Sequence, residues 1–282
     1  MEIKGLIKTK NFAGQNIIWG ERTYIMGILN VTPDSFSDGG EFLLCDKAVE
    51  HAKEMIKLGA DVIDIGGESS RPGHVRITTD EELKRVLPVI NRLSKETNAI
   101  LSLDTIRAEV AEEGIKNGIH IINDIWGLQE DPDMAKVVAK HRVPVIIMHN
   151  QQGTEYQKDI IEDMICFYMN SIEIALSAGV SKDQIILDPG IGFGKTVNQN
   201  IVVMSRLAEI KELGYPVLLA TSRKSTIGKI LELPPKERVE GTLATTVLGI
   251  AQGIDMVRVH DVKENLRAAK VADAIVRGTF IG

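Results

Sequence analysis

The stretch DPGIGFGKT, Asp188 to Thr196, carries the residue types of a loop that grips phosphate. A Walker A loop curls its backbone around phosphates at a glycine five residues before Gly-Lys-Thr, and Pro189 occupies that position. A dinucleotide-binding turn needs three glycines; Gly190 and Gly192 supply two, but Lys195 stands where the third would let a helix pack on its strand. Neither nucleotide pattern is met. Other polar clusters recur along the chain, at NVTPDSFSDGG, GGESSRPGH, SRKS and around Arg258 and His260. Ser222 and Ser225 have no obvious adjacent His, and Cys166 sits in a helical pattern, so no covalent nucleophile is expected.

The elements that would position these clusters follow from the apolar pattern. Short runs rich in Ile and Val recur at 24–29, 61–65, 99–103, 120–125, 144–148, 184–187, 216–220 and 256–259. Between them apolar residues take helical spacing, as in Ala48, Ala52, Met55, Ile56 and Gly59, or Ile161, Ile165, Tyr168, Ile172 and Leu176. Gly59, Gly118, Gly179, Gly214 and Gly253 each precede a strand, where a left-handed residue closes a helix. Uninterrupted apolar strands imply a sheet covered on both faces, as parallel sheets are. Eight such units predict an α/β fold, a (β/α)8 barrel over 1–282 as one domain, with a hairpin before Tyr24 plugging its bottom. An open doubly wound sheet is the alternative, and it usually needs fewer strands.

In a barrel the chemistry collects where strands end. Here every predicted strand delivers polar residues at that end: Asn30, the second loop, Asp104, Asn123 with Asp124, His149 with Asn150, Asp188, SRKS, and Arg258 with His260 and Asp261. A single Asp or Asn there could equally cap the next helix. Asp124 and Asp261 are read as caps or supporting partners. Arg223 and Lys224 at a helix start oppose its dipole, a cost that function would explain.

Composition bounds the function classes. The 282 residues are 44% hydrophobic and 26% charged, enough for a sizeable core. A net charge of -6 argues against a nucleic-acid surface, so any anion site must be local. The start of the chain has charges every few residues and no run reaches membrane-spanning length, which predicts a cytoplasmic protein. Cys45 and Cys166 lie too far apart in sequence to suggest a metal pair or disulfide framework.

Taken together, MGILNVTPDSFSDGG, DIGGESSRPG, SLDT, IND, DPGIGFGKT, SRKS and RVHDV, in this order from Met26 onward, resemble the dihydropteroate synthase family. That resemblance implies a pterin-binding TIM barrel and a transferase of folate biosynthesis. The family condenses 6-hydroxymethyl-7,8-dihydropterin diphosphate with 4-aminobenzoate, with magnesium, releasing diphosphate. By resemblance, Asp104, Asn123 and Asp188 hold the pterin's edge, Lys224 reaches its acceptor atoms, and Met148 and Phe193 line its faces. The glycines of DPGIGFGKT would let backbone pass close to the flat ring. Arg258 and His260, joined by Ser70 and Arg71, match the diphosphate site and would supply its positive charge and donors, Asn30 matches the Mg2+ ligand, and Phe36, Pro72 and Ser225 the aminobenzoate pocket. Lys224, Arg258, His260 and Asp104 are the expected catalytic group. The loops 31–40 and 69–75 would act as lids, and sulfonamides would compete for the aminobenzoate pocket.

The chain departs from the commonest family pattern at Ser70, His74, Asn150 and Thr226. Ser70 keeps the hydroxyl that a phosphate contact needs. Two other readings share the pterin pocket: a methyltetrahydrofolate-binding methyltransferase domain, and a non-catalytic pterin carrier. Neither needs the whole set of lid, lysine and anion-binding motifs. The resemblance also implies a homodimer through late helices, to which 268–276 could contribute.

Overall fold

The computed structural model describes residues 8–12, 15–32, 41–69 and 75–280. All eight predicted strands form and lie as parallel neighbours in one sheet. After a hairpin, β1 (Lys8–Phe12) and β2 (Gln15–Ile18), come β3 (Tyr24–Asn30), β4 (Val62–Gly66), β5 (Ile100–Asp104), β6 (Ile121–Asp124), β7 (Val145–Met148), β8 (Ile185–Asp188), β9 (Leu218–Leu219) and β10 (Met256–Val259). Ladder pairing runs from β8 down to β3, then to β10 and β9. A parallel bridge between Leu187 and Val217 joins the two ends, and the Leu187 N–H donates to the Pro216 carbonyl at 2.9 Å. The ring is therefore closed, which removes both sheet edges. β9 spans two residues instead of the predicted five.

Helices cover the outside: α1 (Glu41–Lys57), α2 (Thr79–Glu96), α3 (Ala108–Lys116), α4 (Met134–His141), α5 (Ile160–Ala178), α6 (Val197–Ser205), α7 (Leu207–Lys211), α8 (Ser225–Leu231), α9 (Val239–Ala251) and α10 (Val262–Arg277). The five glycines expected to close helices all have positive φ, from 83° to 113°.

The strands read as unbroken apolar runs because their two faces bury against different partners. Ile63, Ile65, Leu101, Leu103, Ile122 and Ile147 pack outward in the core shared with the helices. Their alternates, Val62, Ile100, Ile121 and Ile146, join Tyr24, Met26, Ile186, Leu218 and Met256 in a second core inside the barrel. That inner core draws on every barrel strand, and Ile17 and Trp19 complete it. The predicted plug is thus in place at the bottom. Ile18 stays exposed, and its N–H donates to the Tyr24 hydroxyl at 2.7 Å. With the lower barrel filled by hydrocarbon, polar side chains are confined to its upper end.

Candidate active site

Strand register assembles the site. Asn30 of β3 pairs with Gly66 of β4, Gly66 with Asp104 of β5, and Asp104 with Asn123 of β6. Four neighbouring strands therefore carry these residues in one row at their carboxyl ends. Gly66 keeps the row open, since a Cβ there would lie 3.6 Å from the Asp104 Cβ and 3.9 Å from Asn30 Oδ1. On the far side Met148 of β7 pairs with Asp188 of β8.

Arg258 of β10 reaches across the barrel to this row. Its Nε donates to Asp64 Oδ2 at 2.5 Å and its Nη2 to Asp104 Oδ2 at 2.9 Å. Asn123 Nδ2 donates to the same Asp64 oxygen at 3.0 Å. Asp104, Asn123 and Arg258 are thus tied into one network. Asp64 was not among the residues expected from sequence, although a charge within an apolar strand run is the signal that could have found it.

Burial sets the protonation of this group. Asp104 is pushed up to about 7, by burial first and by Asp64 as well, against the opposing pull of Arg258. Asp188, 2% exposed, is raised to about 6 by burial, although its carboxylate accepts the Gly190 N–H at 2.7 Å. Lys224 is lowered to about 8 by burial and by the Arg258 charge. Its ammonium lies 4.2 Å from the centroid of the Phe193 ring, a cation–π contact. Lys224 and Phe193, read separately from the sequence, therefore meet at the same strand ends.

The glycine-rich loop is explained differently from expectation. Gly190, Gly192 and Gly194 have φ of 62°, 88° and 55°, a conformation costly for side-chain-bearing residues. A Cβ on Gly190 would lie 2.0 Å from the His149 carbonyl oxygen, and one on Gly194 would lie 2.9 Å from that of Gln151. These two glycines are needed because the loop backs onto the chain after β7. Only Gly192 faces Lys224, whose Cδ would stand 3.2 Å from an added Cβ. Lys195, the residue that mimics a phosphate lysine, turns inward instead. Its Nζ donates to the carbonyls of Gly190 and Phe193, both at 3.1 Å, and meets His149 Nδ1 at 2.8 Å. Burial lowers Lys195 to about 7. It is a strut within the loop that carries Phe193.

Gly190→Ala combines a left-handed backbone with a backbone clash, so destabilisation of at least about 3 kcal/mol is expected. Urea unfolding checks this, and a Gly190→Ala midpoint equal to the parent's would show that the loop can move aside.

At β10 the structure corrects two expectations. Ser222, thought to lack a neighbouring His, has its Oγ 2.9 Å from His260 Nδ1. The same hydroxyl accepts the His260 backbone N–H at 3.1 Å, so among the described residues its own proton has Nδ1 as acceptor. That leaves Nε2 as the protonated ring nitrogen. His260 was expected to add positive charge. Burial, then Arg223 and Arg258, lower it to about 4, so it acts as a neutral donor before an anion binds.

The supporting carboxylates also sort out. Asp124 caps a turn, accepting the N–H groups of Trp126 and Leu128 at 2.8 Å each. Asp261 makes no capping bond to α10 and instead pairs with Arg223, at 3.1 Å to Nε and 2.5 Å to Nη2. This pairing offsets the dipole cost assigned to Arg223. Arg238, also unforeseen, donates to the carbonyls of Arg223 and Lys224 at 3.0 and 3.3 Å and pins their turn. Ser225 is exposed at the start of α8, whereas Thr226 is buried. Asn150 is buried, its side chain accepting the Gln151 N–H at 2.9 Å. Phe36, Ser70, Arg71, Pro72 and His74, with most of both expected lids, lie outside the described residues.

Comparison with known proteins agrees with this geometry. Residues 26–260 match the model of the pterin binding enzyme family. A dihydropteroate synthase of Clostridium beijerinckii is 58% identical over 92% of this chain and 96% of its own, and that of Bacillus subtilis is 57% identical over 91% and 90%. Among solved structures, a Clostridium difficile dihydropteroate synthase determined in the presence of pteroic acid superposes with a TM-score of 0.91 at 60% identity, covering 92% of this chain and 98% of that one. The Xanthomonas albilineans enzyme with 4-aminobenzoic acid gives 0.89 at 39% identity over 94% and 97%. With the Asp, Asn and Lys pocket at the strand ends and likeness along nearly the whole barrel, this chain belongs to the pterin-binding enzymes and, within them, to the dihydropteroate synthase family.

Proposed function

We propose that the strand-end cluster is where this transferase of folate biosynthesis joins 6-hydroxymethyl-7,8-dihydropterin diphosphate to 4-aminobenzoate. The observation that carries the assignment is the network that ties Asp104 and Asn123 to Arg258 through Asp64, near enough to Lys224 for the charges of Arg258, Asp188 and Asp104 to act on its ammonium. An aminopyrimidinone edge offers N–H donors to carboxylates and acceptors to an ammonium. Such buried groups would reject rings that leave them unpaired.

In the reaction, the C–O bond between the exocyclic methylene and diphosphate breaks, the amine nitrogen bonds to that carbon, and the amine loses a proton. Arg258 and the Nε2–H of His260 would stabilise charge on the departing diphosphate, while Asp104, Asn123, Asp188 and Lys224 fix the ring. Pterin donors arriving at Asp104 compete with Arg258 Nη2, which frees that nitrogen for phosphate. Among the described residues no group of three or more His, Cys, Asp or Glu could hold a metal by itself. A neutral oxygen such as Asn30 Oδ1, in a row that Gly66 keeps open, suits a hard cation whose other ligands are phosphate and water. A magnesium ion held there would neutralise phosphate charge.

The same reading extends to assembly and location. α10 buries Ala269 and Ala272 in the core but exposes Val271 at 62% and Ile275 at 78%, and its neighbour α9 exposes Leu248. This face supports a homodimer. No described helix is long and apolar enough to cross a membrane, in keeping with work in the cytoplasm.

The test is turnover by the purified protein with magnesium and both substrates, following dihydropteroate by chromatography. Product that needs all three and falls with a sulfonamide is expected. Pterin diphosphate binding without product would replace the synthase with a carrier, and loss of both would sink the pocket assignment.

A further inference from the structure

We propose that Asp64 is the positioning residue of the anion arm: a fixed carboxylate inside the barrel that grips Arg258 by its Nε edge and leaves its terminal nitrogens to change partners. Asp64 is 0% exposed in the middle of β4, between Ile63 and Ile65, which pack outward. A carboxylate in such surroundings is costly unless paired, and a small apolar residue would fill the place without that cost. Its partners are therefore informative, and both belong to the site. Oδ2 accepts Arg258 Nε at 2.5 Å and Asn123 Nδ2 at 3.0 Å. Among the described residues Oδ1 has no hydrogen-bond partner.

Two consequences follow from this single oxygen. An Arg held at Nε keeps its position along the barrel while Nη2 can leave Asp104 for an anion and Nη1 can join it, because each nitrogen of the planar fork donates through its own N–H. Asn123 can approach a carboxylate only with its amide nitrogen, so Asp64 also fixes the flip of that amide and leaves Oδ1 of Asn123 as the outward acceptor. One buried charge thereby sets both the diphosphate arm and part of the pterin pocket. Arg258 and Asp64 are 194 residues apart in sequence, which is why only the closed barrel reveals the contact.

The inference rests on the synthase reading, and the unmodified enzyme separates the two: a chain that makes no dihydropteroate fails before any variant is compared. Asp64→Asn keeps the shape and can keep an acceptor oxygen in place while removing the charge. KM for the pterin diphosphate is expected to rise, and kcat to fall, each by at least about tenfold. Affinity for 6-hydroxymethylpterin, which lacks the diphosphate, should change by less than about threefold, because the Asn123 contact survives. In an Arg258→Ala background the same substitution should add no further loss. Additive losses, or equal weakening of the diphosphate-free pterin, would overturn the proposal. Should Asp64→Asn not fold, nitrogen-15 arginine spectra of the unmodified protein still decide. The Arg258 Nε–H signal, identified by its absence in Arg258→Ala, should exchange slowly with water and persist when pterin diphosphate binds. A fast-exchanging signal in that complex would mean that Asp64 lets the arginine go.

Discussion

Asp104→Ala is expected to leave a folded barrel whose turnover is at least about a thousandfold below the parent's, because a site built to pair a ring's N–H donors loses both orientation and discrimination when its acceptor is removed. Asp104 stands inside the row Asn30, Gly66, Asp104, Asn123 and shares Arg258 with Asp64. Removing it therefore costs the pterin contact while Arg258 keeps one carboxylate. Stability should move the other way. Burial holds the folded carboxyl at about 7, above the ordinary range, so between roughly pH 4 and 7 the folded state binds more protons at Asp104 than the unfolded chain does. Its contribution to stability falls as pH rises through that window. Asp104→Ala removes this loss, and its melting temperature relative to the parent's should be higher at pH 8 than at pH 5. Assay and thermal unfolding of the same preparation check both parts. An Asp104→Ala protein with parental turnover would refute the pterin pocket.

The same row shows how far the sequence could be read. Each strand end was legible because apolar runs stop at polar residues, and the family likeness supplied roles for Asp104, Asn123, Asp188 and Lys224. Eight strand and helix units predicted a closed barrel but not the contact that closes it, a bridge between Leu187 and Val217 beside a strand of two residues. Contacts between distant strands were equally hidden, as with Ser222 and His260, 38 residues apart. Asp261 could be read only as a cap or a supporting partner, and the structure decides for the second because Arg223 takes its carboxylate. The glycines of DPGIGFGKT announced an unusual backbone but not its neighbour, which is the chain at 149–151 and not the ring alone. Sequence spacing reports what a residue can do locally. Its charge state depends on burial and neighbours, so His260 looked cationic and is held neutral.

Lys224 combines both kinds of information. Its position at the N-cap of α8 opposes the helix dipole, its carbonyl is held by Arg238, and its ammonium lies over Phe193 at 4.2 Å. Lys224→Ala should lower turnover by at least about a thousandfold, since the ring acceptor atoms would lose their charged donor. Lys224→Arg should not restore it. A planar guanidinium is bulkier than an ammonium, and the lysine stem already lies 3.2 Å from where a Cβ on Gly192 would stand. The stability consequence again has a definite sign. Burial lowers the folded lysine to about 8, so between about pH 8 and 10 the unfolded chain binds more protons there, and stability from this group rises with pH. Below pH 8 the buried cation costs its full amount. Lys224→Met, which fills similar volume without charge, should therefore melt above the parent at pH 7, with the difference narrowing toward pH 10. Substrate affinity of the parent should weaken above pH 8 as the ammonium loses its proton, and Lys224→Met should lack that limb. A Lys224→Met protein that melts below the parent at pH 7 would mean that the ammonium is well paired there, and an unchanged alkaline limb would assign the titration to another group.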